Sequence, residues 1–265
     1  MSLRREVVAS MAAIVFAGSA ISAQGALLRQ FDSANYDLAS GRWSDTSDGS
    51  TVADNTNDAF NGYAPGLVAG ATLSGQSALS FNGSQNLIIG GFNDGSGTGI
   101  PISPTSTFTL FAVVKPTTGG TILAGNGGSL QYRLSGSKQE SLRAGQASQG
   151  ASNTVLPTDS FSIISLTFTN GSNPSGTFYL NNVADGSFTA SGGVYGYMTF
   201  IGAKDNSGAE RYNGQIAAVR IYDTVLDSTE RTAVFSSLAA TYVPEPVSLS
   251  VFGLLGAGLL CRRRR

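Results

Sequence analysis

Hydrophobic and polar side chains alternate along many short stretches of the chain, and this period of two predicts β-strands. The clearest stretch is residues 212–222, YNGQIAAVRIY, where Ile216 and Ala218 point to one side and Val219 and Ile221 to the other. Most other stretches are closed by Gly, Ser or Asn, as strands joined by turns would be. They are residues 26–31, 67–73, 78–81, 87–89, 107–115, 121–124, 130–134, 161–169, 176–183 and 198–203, and a polar region covers residues 40–61.

One helix is predicted directly after residues 212–222. Asp227 is a candidate N-cap, and Glu230 three residues later completes the pattern of a capping box. Val234 and Leu238 lie four residues apart, which gives the helix one apolar face. We expect the helix to end near Ala240 and to pack over a sheet edge.

The composition fits a single all-β domain. The chain has 265 residues, of which 41% are hydrophobic, so it can fill a core. It has 34 glycines and only 12% charged residues, which is typical of many strands joined by turns. No Pro-rich or charge-rich segment divides its middle.

Charge and residue types exclude several functions. The chain has 16 basic and 17 acidic residues, and six of the basic and two of the acidic residues lie in the chain ends discussed below. The predicted domain therefore has ten basic and fifteen acidic residues, a net charge of −5. That balance does not favour nucleic acid binding. The chain has no histidine, which removes the Ser-His-Asp arrangement and histidine zinc sites. Its one cysteine, Cys261, lies outside the predicted domain, so disulfides play no part in this fold.

The first 23 residues have the features of a secretory signal peptide. Arg4 and Arg5 precede an apolar run over residues 7–16, and small residues follow up to Ala23. We therefore expect residues 1–23 to be removed on export and the mature chain to begin near Gln24.

The last 22 residues carry a second export feature. Pro244, Glu245 and Pro246 precede an uncharged apolar run over residues 247–260, predicted to be a hydrophobic helix, and Arg262, Arg263, Arg264 and Arg265 end the chain. At 1.5 Å per residue the run is about 21 Å long, shorter than a hydrocarbon core of about 30 Å. A buried C-terminal helix is the alternative, but such a helix is not apolar all round with four terminal arginines.

The order Pro-Glu-Pro, apolar segment and arginines resembles the PEP-CTERM sorting signal of Gram-negative bacteria. The resemblance implies that the tail is held transiently in the inner membrane with its arginines in the cytoplasm, as the positive-inside rule predicts. It also implies that an exosortase processes the chain near residues 244–246.

Several motifs of the middle region resemble laminin-G-like domains, which are jelly rolls of the concanavalin A type. They are the 212–230 stretch, the QSALSFNG segment at residues 76–83, the TFTLFAVVK run at residues 107–115 and the FYLNN hairpin at residues 178–182. The resemblance implies a two-sheet jelly-roll sandwich with a short C-terminal helix.

Glycoside hydrolases of family 16 share this fold and carry an E-x-D-x-x-E strand motif, whose carboxylates flank the glycosidic bond. The predicted domain has three glutamates, Glu140, Glu210 and Glu230, none of them in an E-x-D pattern. A pair such as Asp205 with Glu210 has no diagnostic spacing. The sequence therefore predicts that the chain is not an enzyme.

Candidate binding residues are of two kinds. Tyr63, Tyr195 and Tyr197 are candidate exposed aromatics for stacking on a sugar, although each also suits packing between strands. Asp205 and Asn206 offer oxygen ligands for calcium, as do Asn93 and Asp94, although all four also suit turns. Trp43, the one tryptophan, fits burial against the sheet better than sugar stacking.

These features predict an exported bacterial protein with a signal peptide at 1–23, a laminin-G-like domain at 24–243 and a sorting signal at 244–265. We expect it at the cell envelope or outside the cell, where the domain binds carbohydrate or another surface polymer without catalysis. The alternatives are a structural matrix or surface-coat component with no discrete ligand and a concanavalin A-like glycoside hydrolase.

Overall fold

A computed structural model describes residues 25–47, 52–54, 64–89, 99–125, 130–143, 148–204 and 210–243. These residues form an all-β sandwich with one C-terminal helix, which confirms the predicted fold class. The strands are β1 (Leu27–Asp37), β2 (Arg42–Asp45), β3 (Val52–Asp54), β4 (Gly66–Val68), β5 (Ala78–Asn82), β6 (Leu87–Ile89), β7 (Ile100–Ile102), β8 (Thr107–Ala124), β9 (Leu130–Ser135), β10 (Lys138–Arg143), β11 (Ser148–Ala151), β12 (Ser162–Thr169), β13 (Ser175–Leu180), β14 (Val183–Thr189), β15 (Gly196–Met198), β16 (Phe200–Ile201) and β17 (Asn213–Tyr222); the helix is α1 (Ser228–Tyr242).

The strands form two layers that share β1 and β8. The first sheet has the strand order β14, β13, β12, the first half of β8 and β17. The first residues of β17 pair with β5 and its last residues pair with β1, and β4 pairs with the other edge of β5. The second sheet runs β11, β10, β9, second half of β8, β16, β6, β3, β2 and the end of β1. All pairings between these strands are antiparallel, and β7 and β15 form a separate two-stranded ribbon.

The long strand β8 passes from one sheet to the other at a glycine pair. Its first half pairs with β12 and β17, and residues 120–124 pair with β9. Gly119 and Gly120 have φ of 97° and 112°, which only glycine adopts without strain. The sequence predicts two strands here, at 107–115 and 121–124, and the structure joins them into one bent strand of 18 residues.

The core lies between the sheets and confirms the predicted burial of Trp43. The Trp43 side chain is 0% exposed, its ring lies 5.5 Å from that of Phe31, and Nε1 donates to the carbonyl of Asp32 over 2.7 Å. Alternate residues of facing strands, such as Leu110 of β8 and Tyr132 of β9, fill the rest of this layer.

Helix α1 packs on the outer face of the first sheet, and not over a sheet edge as predicted, and it ends at Tyr242, two residues after the predicted end near Ala240. Asp227 and Glu230 form the predicted capping box, with the Asp227 carboxylate accepting from the backbone amides of Thr229 and Glu230. Val234, Leu238 and Tyr242 are the buried helix residues, and they belong to a cluster with Phe111, Val113, Ile163 and Ala217 of the sheet.

The polar region predicted over residues 40–61 contains strands β2 and β3. In β2 the buried Trp43 and Asp45 alternate with the exposed Arg42 and Ser44, and a short strand with polar residues on both faces gives little hydrophobic pattern. Strands β10 and β11 are not predicted from the sequence for the same reason, since both carry polar residues on both faces. The strand predicted over residues 67–73 ends at Val68, before a turn in which Gly70 has a φ of 61°.

Both predicted export features lie outside the described residues. They are the signal peptide at 1–23 and the tail at 244–265, including Pro244, Glu245, Pro246, the hydrophobic helix and the four arginines. Across the described ranges, no helix has the length and apolar character needed to cross a bilayer.

Candidate carbohydrate site

A cleft of about 320 Å³ opens at one end of the sandwich, and we call it the end cleft. Apolar side chains, hydroxyl groups and one residue of each charge line it. The lining residues are Leu28, Arg29, Ile100, Pro101, Thr105, Ser106, Thr107, Phe108 and Asp223. Ligand sites for small molecules combine an apolar surface with a few polar groups in this way.

The β7–β15 ribbon contributes Ile100 and Pro101 to the cleft lining and carries an exposed tyrosine opposite Pro101. Tyr197 pairs with Pro101 across the ribbon, and directly opposed residues of an antiparallel pair share a face. Both residues are exposed, Tyr197 at 46%, whereas Ile100 and Met198 on the other face are buried. Tyr195, two residues earlier, is 51% exposed. Of the predicted candidates, Tyr197 therefore lies on β15, the partner strand of the cleft-lining strand β7, and Tyr195 lies just before β15; neither tyrosine belongs to the lining itself.

A buried amide fixes the loops around the end cleft. The side chain of Asn170, at the end of β12, donates to the carbonyls of Ser103 and Val194 over 2.6 Å each, and its Oδ1 accepts from the amide of Val194 over 3.0 Å. Asn170 thereby ties the turn before Thr105 to the loop that carries Tyr195. The sequence reasoning missed this residue, because its partners lie 67 and 24 residues away along the chain.

The two charged side chains of the cleft, Asp223 and Arg29, have partners within the domain. The Asp223 carboxylate accepts from the amide of Ala26 over 2.8 Å, and Arg29 Nε lies 3.6 Å from Asp45. With the hydroxyl groups of Thr105, Ser106 and Thr107 these side chains provide donors and acceptors beside an apolar floor. A sugar presents the same combination, with hydroxyl groups around a less polar ring face.

A second polar cluster lies on the outer face of the second sheet, and we call it the carboxylate clamp. Arg133 Nε donates to Glu140 over 2.7 Å, and Arg133 Nη1 contacts Glu210. Gln131 donates to Glu210 over 2.8 Å and Lys204 Nζ lies 3.2 Å from it. Two of the three glutamates of the domain therefore meet at one guanidinium group.

The carboxylate clamp keeps Glu210 ionised. Partial burial by itself would raise the pKa of Glu210, but the hydrogen bonds from Gln131, Arg133 and Lys204 outweigh it and hold that pKa below its usual value. The hairpin register explains why Glu140 faces Arg133, since the two residues are directly paired across β9 and β10. Glu210 arrives from a distant loop, and no pattern in the sequence indicates that it joins the cluster.

This shift predicts an acid-sensitive contribution to stability. A lowered pKa in the folded state stabilises the fold at pH values above the unfolded pKa of about 4.5, and the stabilisation is lost as pH falls through the folded value. We expect Glu210→Gln to lower the free energy of unfolding by about 1 kcal/mol or less at pH 7 and to leave it nearly unchanged at pH 3. Thermal melts from pH 7 to pH 3 measure this, with Asp159→Asn at an exposed site as control; an equal loss at both pH values contradicts it.

The other predicted site residues lie outside the described residues. They are Tyr63 among the aromatic candidates and Asp205, Asn206, Asn93 and Asp94 among the calcium candidates. Glu210, which the sequence analysis considered together with Asp205, is described and contacts Arg133 and Lys204. Within the ranges that the structure describes, no three acidic, cysteine or histidine side chains come together as a metal site. Glu230 is the predicted helix cap.

A family model described as the concanavalin A-like lectin/glucanases superfamily (Laminin_G_3) matches residues 90–230, more than half of the 265 residues. The chain belongs to this superfamily. The match spans β7 to the first turn of α1 and therefore includes most of both sheets. A search of curated proteins gave no significant match.

Solved structures with the same fold include parts of an arabinanase, a sialidase and a neurotoxin. Domain 4 of AbnA, a GH43 extracellular arabinanase of Geobacillus stearothermophilus in complex with arabinotriose, aligns with a TM-score of 0.56 at 16% identity, covering 80% of this chain and 98% of that one. Trypanosoma rangeli sialidase with sialic acid gives 0.53 at 16% identity over 82% of this chain and 34% of that one. Botulinum neurotoxin type C, whose cell entry depends on two ganglioside molecules, gives 0.51 at 12% identity, over 80% and 51%.

These comparisons correct the prediction that the chain is not an enzyme. The arabinanase and the sialidase are glycoside hydrolases, and the fold of this chain is the fold of parts of both. The prediction relied on the missing E-x-D-x-x-E motif, which is a local pattern. The carboxylate clamp illustrates the weakness of that reasoning, because it joins two glutamates that no local motif connects.

Proposed function

We propose that this chain is an exported bacterial protein whose jelly-roll domain binds a glycan in the end cleft. The observation that carries the proposal is the exposed Tyr197 ring, which is paired across the ribbon with Pro101, and Pro101 lines a cleft together with hydroxyl and charged groups. The structural neighbour from the arabinanase was solved with arabinotriose, which supports a sugar as the ligand.

A substitution in the ribbon tests the site. We expect Tyr197→Ala to weaken glycan binding about tenfold, because the aromatic surface against a sugar ring is lost while the backbone pairing with Pro101 is kept. The assay is a glycan array followed by titration calorimetry on the full-length chain in detergent, with and without calcium.

Val183→Ala is the matched control, since Val183 is 70% exposed and follows the β13–β14 turn. That turn lies at the opposite end of the first sheet from Thr107, as the register of β12 with β8 requires. Binding that is unchanged by Tyr197→Ala places the ligand elsewhere. The absence of any binding on the array favours a structural matrix component without a discrete ligand.

We further propose that the domain is delivered to the cell envelope or the extracellular matrix by the two chain ends. The arginine pair and apolar run before Ala23 support export, and the Pro-Glu-Pro, apolar and arginine order of residues 244–265 supports processing by an exosortase after transient anchoring in the inner membrane.

The intact mass of the protein recovered from the envelope of its host tests this delivery. We expect a mature form that lacks residues 1–23 and the apolar tail. A full-length chain with its four arginines, recovered from the soluble cytosol, contradicts it.

The carboxylate clamp favours glycoside hydrolysis as a second candidate function. Glu140 and Glu210 contact the same guanidinium group, so their carboxylates lie near each other on an outer sheet face. Retaining hydrolases use one carboxylate as nucleophile and a neighbouring one as acid, and an ionised Glu210 suits the first role.

Release of reducing sugar from soluble β-glucans and arabinan tests this candidate. Hydrolysis that is abolished by both Glu140→Gln and Glu210→Gln supports it. Hydrolysis that persists in both variants, or no release from any substrate that the chain binds, rules out the clamp as the catalytic pair.

A further inference from the structure

Four strands of the first sheet carry the same short pattern, a hydroxyl residue, one intervening residue and a second hydroxyl residue. Residues two apart in a strand point to the same face, so both hydroxyl groups of each pattern project from one side of the sheet. The four segments are Thr107 and Thr109 of β8, Thr167 and Thr169 of β12, Ser175 and Thr177 of β13, and Ser187 and Thr189 of β14.

The strand register aligns these residues into two straight rows, which we call the hydroxyl rows. One row is Thr109, Thr167, Thr177 and Ser187, and the other is Thr107, Thr169, Ser175 and Thr189. Neighbouring members of a row are therefore about 4.8 Å apart, and the rows are separated by two residues of strand, about 6.7 Å.

The residues between the two hydroxyl positions of each strand project to the opposite face of the sheet, where they pack in the core. Phe108 and Phe168 project into the core and stack with centroids 5.2 Å apart, and Phe188 lies 6.2 Å from Phe168. Gly176 leaves the space that Phe188 fills, since a Cβ there would lie 2.7 Å from that ring. The rows are thus held on a packed layer of rings.

One end of the rows is closed and the other is open. The segment between β17 and α1 covers the β8 members, with the Thr107 hydroxyl donating to the backbone carbonyl of Asp223 over 3.2 Å and the Thr109 hydroxyl to that of Thr224 over 2.8 Å. The hydroxyl residues of β12, β13 and β14 line a shallow depression of about 340 Å³, and Val225 lines it from the covering segment. Among the residues that the structure describes, no charged side chain lines this depression.

We propose that the hydroxyl rows bind a segment of an uncharged polysaccharide that lies across β12, β13 and β14. Serine and threonine hydroxyl groups both donate and accept hydrogen bonds, as sugar hydroxyl groups do, and a lining without charge offers no partner to an acidic polymer. Threonine also occurs on exposed strands for its β propensity alone, but that preference does not require alignment over successive strands around a depression.

This inference deepens the proposed function, on which it rests, by naming a neutral polymer as the ligand class. Thr107 lines the end cleft and is also the strand partner of Thr169, so the two surfaces meet at the segment that begins with Asp223. A short oligosaccharide is expected to occupy the end cleft alone. A longer chain gains the contacts of the hydroxyl rows as well.

The test compares polymer binding with oligosaccharide binding in a variant that lacks the three exposed hydroxyl groups, Thr169→Val/Ser187→Ala/Thr189→Val. The probes are hydroxyethyl cellulose, dextran and the acidic polymer polygalacturonate in affinity gel electrophoresis of the full-length chain. We expect a roughly tenfold weaker interaction with the neutral polymer that binds best, from the loss of several hydrogen bonds. Binding of short oligosaccharides stays at the wild-type level.

Thr117→Val/Thr118→Val is the control, because these residues are exposed at the other end of the same sheet and the same chemistry is changed. If the triple variant does not fold, Thr189→Val alone on the edge strand β14 is measured. Equal polymer affinity in variant and wild type, or stronger binding of polygalacturonate than of neutral polymers, overturns the inference. If either outcome occurs while oligosaccharide binding still depends on Tyr197, the proposal for the hydroxyl rows is wrong and the proposal for the end cleft stands.

Discussion

Replacing Trp43 by alanine is expected to lower the free energy of unfolding by about 3–5 kcal/mol, a large share of the roughly 5–15 kcal/mol that is typical of a folded domain. The Trp43 side chain is 0% exposed and packs on Phe31, so truncation leaves a cavity in the middle of the core. It also leaves the carbonyl of Asp32 without its donor from the indole. Urea denaturation followed by circular dichroism measures the change.

Trp43→Phe separates these contributions, because it keeps most of the buried ring and loses the hydrogen bond. We expect a loss of about 1–2 kcal/mol for this control. The assignment of Trp43 to the core is contradicted if Trp43→Ala has an unchanged denaturation midpoint but loses glycan binding. That pattern belongs to an exposed stacking residue.

Gly120→Ala is expected to cost about 2–3 kcal/mol and to break the carboxylate clamp. Gly120 has a φ of 112°, and a Cβ there would lie 2.1 Å from the carbonyl oxygen of Arg211. The adjacent Thr121 amide donates to the carbonyl of Glu210 over 2.8 Å, so displacing this loop moves Glu210 away from Arg133. Thermal denaturation measures the cost.

The matched control is Gly136→Ala in the β9–β10 turn. Gly136 also has a positive φ, 55°, but nothing lies within 4 Å of an added Cβ, so only the backbone strain of about 1 kcal/mol is expected. Equal losses in the two variants contradict the packing argument. Loss of the pH dependence assigned to Glu210 in Gly120→Ala but not in Gly136→Ala supports it.

Much of the fold could be predicted from local signals. The alternation of residues 212–222 and the Asp227–Glu230 capping box act over a few residues, and both appear in the structure. Strands such as β10 and β11 could not be predicted from alternation, because their two faces carry similar numbers of polar residues. The laminin-G-like motifs added the two-sheet arrangement, which alternation alone does not give.

The candidate site was predicted only in part. Exposure of Tyr195 and Tyr197 followed from their Gly-rich surroundings, but the end cleft depends on the pairing of Tyr197 with Pro101, 96 residues away. The contact between Arg133 and Glu210 spans 77 residues and has no local signal. The hydroxyl pattern is visible in the sequence, whereas its alignment into rows requires the register of four strands.

The central claim, a glycan in the end cleft, is tested most directly by a crystal structure of the protein with the oligosaccharide that binds tightest on the array. We predict a sugar ring in contact with Tyr197 and Pro101 and hydrogen bonds to the hydroxyl groups of Thr105, Ser106 or Thr107. A bound oligosaccharide that leaves the end cleft empty and makes no contact with Tyr197 would contradict the claim.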